Sequence, residues 1–299
     1  MIHIPVLQKE VLEYLDPKPN ENFIDCTIGE GGHSLAILEK TAPEGKVLGI
    51  DWNEEIIKNT KYKNRIIPVC DNFVNLKEII VKQKFKKISG ILFDLGMSSW
   101  HLEGSGRGFS FLKKEPLDMR YNPQNPTSAE KILNYWSREE IEKILREFGE
   151  ERFSKEISEK IIGERKIKPI ENTLQLVEII KRALPSRYLY QKINPATRTF
   201  QALRIAVNNE LNNLQEVLPQ ALEVLERGGR IAIISFQSLE DRIVKNFFRE
   251  QAKNNLLKIL TKKPITPANE EIRRNPRSRS AKLRAAIKIT YQVPLAGRR

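Results

Sequence analysis

Asn22-Phe23-Ile24-Asp25-Cys26-Thr27-Ile28-Gly29-Glu30-Gly31-Gly32-His33-Ser34 leads from a strand-like apolar run through a glycine loop to a helix start. Asn22–Thr27 reads as a strand, and Ser34–Lys40 as the helix that follows it. Gly31 and Gly32 permit positive φ and a close approach of backbone to a ligand. The helix then offers unpaired N–H groups to an anionic group, such as a carboxylate or phosphate. For the glycines alone, a tight turn with no ligand is the plainer alternative.

The same rhythm continues downstream. Lys46–Asp51 is a second strand ending in an acid, Glu54–Tyr62 a charged helix, and Arg65–Cys70 a third strand. A helix around Leu76–Phe85 precedes a fourth strand, Ile88–Asp94, which also ends in an acid. Short apolar runs alternating with helices predict a parallel, doubly wound α/β sheet. Such sheets bind ligands at the carboxyl ends of their strands, near the switch point. Asp51 lies 22 residues after Gly29, close to the roughly 20 expected of an acid that accepts from ribose hydroxyls. Asp71-Asn72-Phe73 follows the third strand and can flank an adenine, with Phe73 as its apolar or stacking surface. Loop and acid together favour a nucleoside carrying an anionic group. The loop, Gly-x-Gly-Gly-His, lacks the third glycine of the dinucleotide fingerprint, which disfavours a dinucleotide without excluding it.

The alternation breaks after Asp94. Gly104-Ser105-Gly106-Arg107-Gly108 reads as flexible, and the chain looks irregular to about Asn125. Ile141, Ile144, Leu145 and Phe148 then fall on one helix face, as do Phe153, Ile157 and Ile161, and Thr173–Leu184 forms another helix. No strand rhythm is visible over 127–193, so this region reads as a helical insertion, followed by a helix carrying Arg198, Gln201 and Arg204. Leu211–Glu226 resumes as an amphipathic helix, and Arg230–Phe236 is a short apolar strand. Ser238-Leu239-Glu240-Asp241 starts a helix with Ser238 placed as its cap. Leu256–Leu260 and Ala285–Gln292 are the last strand candidates. The expected division is a nucleotide-binding core over 1–105 and 210–299, with a helical domain at 106–209.

Over 299 residues, 40% are hydrophobic and 30% charged, a soluble globular composition. No segment approaches the roughly 18 apolar residues of a membrane span, and the N-terminus has no secretory pattern. Cys26 and Cys70 read as buried free thiols of a reducing cytoplasm, and with three scattered histidines they make no metal site. A cytoplasmic protein without metal or membrane partner is expected. The net charge is +13, and residues 253–299 hold 13 Lys or Arg against Glu270 and Glu271, a net +11. Asn275-Pro276-Arg277-Ser278-Arg279-Ser280 has little to bury, so Arg277 and Arg279 favour nucleic-acid phosphates over a merely solvated face.

Several segments, taken together, resemble the bacterial small-subunit ribosomal RNA cytosine-N4 methyltransferase H family, also called MraW. They are His3–Leu7, Asp25–Ser34, Phe93–Ser99, Arg107–Phe111, Pro116–Arg120, Phe148–Phe153, Pro195–Ile205, Ile234–Arg242 and Asn275–Arg284, in order over nearly the whole chain. The resemblance implies a class I (Rossmann-like) S-adenosylmethionine methyltransferase core with an inserted all-helical domain. It also implies S-adenosylmethionine as cofactor, and as substrate a cytidine of the decoding region, in the small ribosomal subunit or its rRNA. By position it implies cofactor contacts at Gly31, Gly32, His33, Asp51, Phe73, Asp94 and His101. Two positions depart from the family. Trp100-His101 stands where Pro-Gln is usual, so an imidazole replaces the usual amide at the His101 contact. Gln237 stands where His is usual, so no general-base role belongs there.

Methyl transfer from a sulfonium has an excellent leaving group, so positioning carries much of the catalysis. The cytosine amine is the obstacle, and acceptors for its N–H protons favour attack and stabilise the growing positive charge. Asp94 and the backbone of Leu95–Ser99 stand where such acceptors are useful; Asp94 as a cofactor contact alone is the alternative. The Asp/Asn-Pro-Pro-Tyr motif frequent among related amine methyltransferases is absent. The target base must leave its stack, and the Gly104–Phe111 loop is a candidate to close over a ligand. Arg107, Arg120, Arg198 and Arg204 are candidate phosphate contacts, each with a structural ion pair as its alternative. A nicotinamide-dependent oxidoreductase and a non-catalytic RNA-binding module are the competing classes.

Overall fold

A computed structural model of the chain describes residues 5–59, 64–190 and 194–289. In chain order the elements are α1 (Gln8–Leu15), β1 (Asn22–Asp25), α2 (Gly32–Lys40), β2 (Val47–Asp51), α3 (Glu54–Asn59), β3 (Ile66–Cys70), α4 (Leu76–Lys82) and β4 (Ile88–Asp94). Next come α5 (Ser99–Glu103), α6 (Ala129–Tyr135), α7 (Arg138–Glu147), α8 (Ser154–Ile167), α9 (Thr173–Ala183), α10 (Ser186–Leu189), α11 (Thr197–Asn208) and α12 (Glu210–Val224). β5 (Arg230–Ser235), α13 (Ser238–Lys253), β6 (Leu257–Ile259), α14 (Asn269–Arg274) and β7 (Lys282–Lys288) follow. Residues 1–96 and 211–299 form one compact unit and residues 97–210 a second.

The first unit is built on one sheet of order β3-β2-β1-β4-β5-β7-β6. β1 to β5 run parallel, and β7 is antiparallel to both β5 and β6. Central parallel strands are covered on both faces, which is why their sequences are almost continuously apolar. Alternate residues serve the two sides. Ile24, Leu48, Ile50, Ile91, Phe93, Ile231 and Ile233 join α4, α12 and α13 through Leu76, Leu214, Val217, Val244 and Phe248. Phe23, Val47, Leu92, Ala232 and Ile234 face the opposite way, onto Val11 and Leu15 of α1 and Ile37 and Leu38 of α2. Each fully buried side chain of this size stabilises the fold by about 1.5–3 kcal/mol. This is the doubly wound α/β architecture expected from the strand rhythm, and the Rossmann-like core that the resemblance implies.

Three local expectations are corrected. Cys70 is exposed and only Cys26 is buried. β3 is an edge strand whose burial alternates, and Cys70 ends it on an open face. The cap of α13 is Gln237, one residue before Ser238. Buried Glu240 reaches back to accept from the N–H groups of Phe236 (2.9 Å) and Gln237 (3.3 Å), which sets the start. β7 begins at Lys282, ahead of Ala285. Charged residues hide its period, because the Arg284 guanidinium turns onto Asp241 with contacts of 2.6 and 3.1 Å. Residues 290–292 of the expected last strand, 60–62 of the expected helix and His3-Ile4 lie outside the described residues.

The second unit is helical, and its core gathers Ile132, Ile141, Leu145, Ile157, Ile161, Leu176, Ile180 and Leu203. Capping boxes at Ser137/Glu140 and Asn172/Gln175 start α7 and α9. The irregular stretch before α6 is tied to the end of α11. Asn208 donates from Nδ2 to the Met119 carbonyl (2.7 Å) and accepts from the Tyr121 N–H (2.8 Å). The unit begins at Met97, earlier than the expected boundary at 105. The reason is that α5 carries His101, whose ring packs on Phe109 and Tyr121 of the same unit.

Candidate cofactor site

Parallel pairing brings Asp25, Asp51 and Asp94 to the carboxyl edge of the sheet, at the ends of β1, β2 and β4. β1 and β4 are neighbours, and the chain winds outward from them in opposite directions, so the switch point lies between them. The glycine loop leaves β1 at this point. Gly29 has φ of 50° and Gly31 of 82°, the left-handed region that favours glycine. Gly31 caps α2 and, as a glycine, gives the first-turn N–H groups no side-chain hydrogen bond. At Gly32 a Cβ would lie 2.4 Å from Cγ of Pro5, so the N-terminal segment is packed directly on the loop.

The acids divide the work. Asp25, 2% exposed, accepts from Ser34 Oγ (2.7 Å) and the Thr27 N–H (3.2 Å), folding the loop from inside. Burial raises its pKa, with the Ser34 hydrogen bond opposing. Asp51 accepts from the Gly29 N–H (3.0 Å) and the Asn53 N–H (2.8 Å). Burial pushes it up to about 6 against those two backbone bonds. Among the described residues Asp94 receives no such backbone support at its carboxylate, although its own N–H donates to Thr27 Oγ1 (2.7 Å). His33 is 6% exposed, and its Nε2 stands 3.5 Å from Asp94 Oδ2. Among the described residues, both ring nitrogens of His33 and Oδ1 of Asp94 are buried without a hydrogen-bond partner. Buried polar atoms are normally satisfied, so three orphans at the mouth of a glycine loop make this a candidate polar ligand site. Phe73, partly buried beyond β3, meets Phe93 edge to face at 5.8 Å.

The first unit therefore brings together Gly31, Gly32, His33, Asp51, Phe73 and Asp94. Sequence reasoning passed over Asp25, Thr27 and Ser34, although Asp25 carried the same signal as Asp51 and Asp94, an acid closing a strand. His101 belongs to the second unit. Its Nδ1 is 2.8 Å from Ser98 Oγ, and Trp100, Phe109 and Tyr121 surround its ring at centroid distances of 4.9–5.3 Å. Burial, followed by the charges of Arg107 and Arg204, lowers its pKa to about 3, so the imidazole is neutral.

The candidate RNA-binding arginines differ in their commitments. Arg120 is bidentate to Asp118 (2.5 and 3.1 Å) and also donates to the Pro123 and Asn125 carbonyls. Arg204 is bidentate to Glu210 (2.8 and 2.9 Å). Arg107 lies over the Trp100 ring at 5.5 Å. Arg198 is exposed and donates to the Glu150 carbonyl (2.9 Å). Arg277 and Arg279 are exposed on either side of buried Ser278. The Gly104–Phe111 loop is pinned by Ser105 Oγ on the His101 carbonyl (2.6 Å), Gly108 N–H on Glu115 (2.9 Å) and buried Phe109. Among the described residues no cluster of His, Cys, Asp or Glu could hold a metal ion, and no helix is long and apolar enough to cross a membrane.

The family model described as the MraW methylase family matches residues 1–289. A protein of Heliobacterium mobile named ribosomal RNA small subunit methyltransferase H is 48% identical, over 96% of this chain and 99% of its own length. A protein of the same name from Thermosipho melanesiensis is 49% identical, over 96% and 98%. A solved rRNA methylase from Streptococcus thermophilus is 13% identical with a TM-score of 0.44, over 97% of this chain and 99% of its own; the fold assignment rests on the strand order above. Nearly full-length identity at this level, and a family model spanning the glycine loop and all three strand-end acids, make this chain a member of the MraW methylase family.

Proposed function

We propose that this protein transfers the methyl group of S-adenosylmethionine to the exocyclic N4 of a cytidine in the decoding region of small-subunit ribosomal RNA. The observation that carries the reading is the pairing of orphaned His33 and Asp94 at a glycine loop whose Asp51 is already locked to Gly29. Those residues fit the cofactor's polar groups. The start of α2, with Gly31, Gly32 and the His33 ring, would hold its anionic carboxylate end. Asp51 would accept from the ribose hydroxyls, and Phe73 would face the adenine. The His101 position, with a neutral imidazole, is the remaining contact carried over from the family. When bound, S-adenosylmethionine supplies an activated methyl on sulfur. Transfer to N4 would form a C–N bond as the methyl's C–S bond breaks with its electron pair left on sulfur, and one amine proton would pass to solvent. Oδ1 of Asp94 accepts an amine N–H, orients the lone pair and stabilises the developing charge. Arg107, Arg198, Arg277 and Arg279 supply phosphate contacts. Arg120 and Arg204, committed to carboxylates, hold the helical unit in shape.

Nucleoside mass spectrometry of small subunits treated with protein and cofactor tests this. N4-methylcytidine is the expected product, and Asp94→Asn is expected to bind both ligands while losing turnover at least a hundredfold (~2.7 kcal/mol). No methylated cytidine from the wild-type protein sinks the activity. Unchanged turnover in Asp94→Asn removes Asp94 from the chemical step.

A further inference from the structure

In the helical unit several arginines have a carboxylate close by. Arg138 and Arg146 meet Glu142, Arg182 meets Glu164, Arg120 meets Asp118 and Arg204 meets Glu210. Arg152, Arg187 and Arg198 are exposed, and among the described residues none of them is paired with a carboxylate. Two of them lie against aromatic rings instead. The Arg152 guanidinium carbon is 5.6 Å from the Phe153 centroid and 5.5 Å from that of Tyr188, while Arg187 lies 5.2 Å from Tyr188. Arg152 Nη1 also donates to the Tyr188 hydroxyl at 3.1 Å, and Phe153 and Tyr188 meet edge to face at 4.6 Å. Arg198 joins the same neighbourhood through the Glu150 carbonyl, two residues from Arg152. Beside this cluster Tyr190 is 89% exposed.

An exposed tyrosine is poorly used in water, and the two guanidiniums that share the Tyr188 ring repel one another. A single-stranded nucleic acid answers both, since its bases stack on aromatic faces and its phosphates pair with guanidinium groups. We propose that the Arg152–Arg187–Tyr188–Tyr190–Arg198 surface is a docking platform for unpaired ribosomal RNA, stacking a base on Tyr190 while the arginines hold the flanking phosphates. This rests on the rRNA-methyltransferase reading and adds where on the helical unit the RNA is gripped. Tyr188, braced by two guanidiniums, fixes the platform.

The test is equilibrium binding of the full-length protein to small subunits, with Tyr190→Ala, Tyr190→Phe, Arg187→Glu and Arg187→Lys. Methyl transfer and S-adenosylmethionine calorimetry are run in parallel. Both mutated positions are exposed, so the variants are expected to fold and to bind cofactor normally. Tyr190→Ala should weaken subunit binding about tenfold while Tyr190→Phe preserves it. Arg187→Glu should weaken it further and Arg187→Lys should largely restore it. Wild-type binding by both Tyr190→Ala and Arg187→Glu overturns the platform. Absence of methyl transfer by the wild-type protein overturns the activity instead, and the binding measurements decide the surface either way.

Discussion

Asp51 shows how one carboxylate couples fold and ligand through its proton. Its ordinary pKa of 3.8 is pushed to about 6 because burial outweighs the hydrogen bonds from Asn53 and Gly29. A folded-state value above the unfolded one means the native chain holds the proton longer. The ionised carboxylate therefore costs stability, a cost absent below about 4 and complete above about 6. Ligand binding has the opposite sign, since only the ionised form accepts two ribose hydroxyls. S-adenosylmethionine affinity should fall about tenfold between pH 7 and pH 5, following one proton, and Asp51→Asn should bind more weakly with that limb flattened. Calorimetric titrations across this range check it, and a flat wild-type profile removes Asp51 as the ribose acceptor. The spacing of Asp51 from Gly29 was legible in the sequence because it is a local count. That Asp25 braces the loop was harder to see, since its partners Thr27 and Ser34 declare themselves only once the loop has folded back.

At the scale of elements, the strands were the most legible part, because burial on both faces writes continuous apolar runs between turn signals. What escaped depends on neighbours distant in sequence. Cys70 is exposed because β3 lies at an edge, and β7 is disguised by Arg284, whose partner Asp241 lies on α13. The entry of α2 belongs to the same class. Gly32 is required less by its own dihedrals than by Pro5, whose ring occupies the place a side chain would take. Gln8 Nε2 on the Gly32 carbonyl (3.3 Å) holds the two segments together. Gly32→Ala should cost about 1–3 kcal/mol by overpacking and weaken cofactor binding by displacing the helix start. Pro5→Ala in the same chain removes the clashing Cγ and should recover part of both. Thermal unfolding of the two single variants and the double variant completes the cycle. Strict additivity of the two substitutions would show that Pro5 does not set the loop.

For the whole molecule the telling property is how charge is distributed between exposed and enclosed positions. The net +13 resides mostly in residues 253–299, and there Arg277 and Arg279 stand exposed around Ser278, whose hydroxyl is turned inward onto the Asn275 carbonyl (2.8 Å). Arg204 looks equally suited to RNA in the sequence, yet it is bidentate to Glu210 with both side chains 13% exposed. Sequence shows the charge but not the partner, so these two kinds of arginine read alike until the fold separates them. Salt dependence separates them in solution. Each phosphate contact contributes about 0.7–0.9 to the slope of log K against log salt. Arg277→Gln with Arg279→Gln should therefore reduce the slope for subunit binding by about 1.5, with little change in Tm. Arg204→Gln should leave the slope alone and cost about 2–3 kcal/mol of stability, because the Glu210 carboxylate loses its guanidinium and keeps a neutral donor, the Tyr121 hydroxyl (3.1 Å). Binding isotherms from low to physiological salt, paired with melting curves, read both. If the tail variant keeps the wild-type slope, the basic C-terminal region is a solvated face and the phosphate contacts lie elsewhere on the molecule.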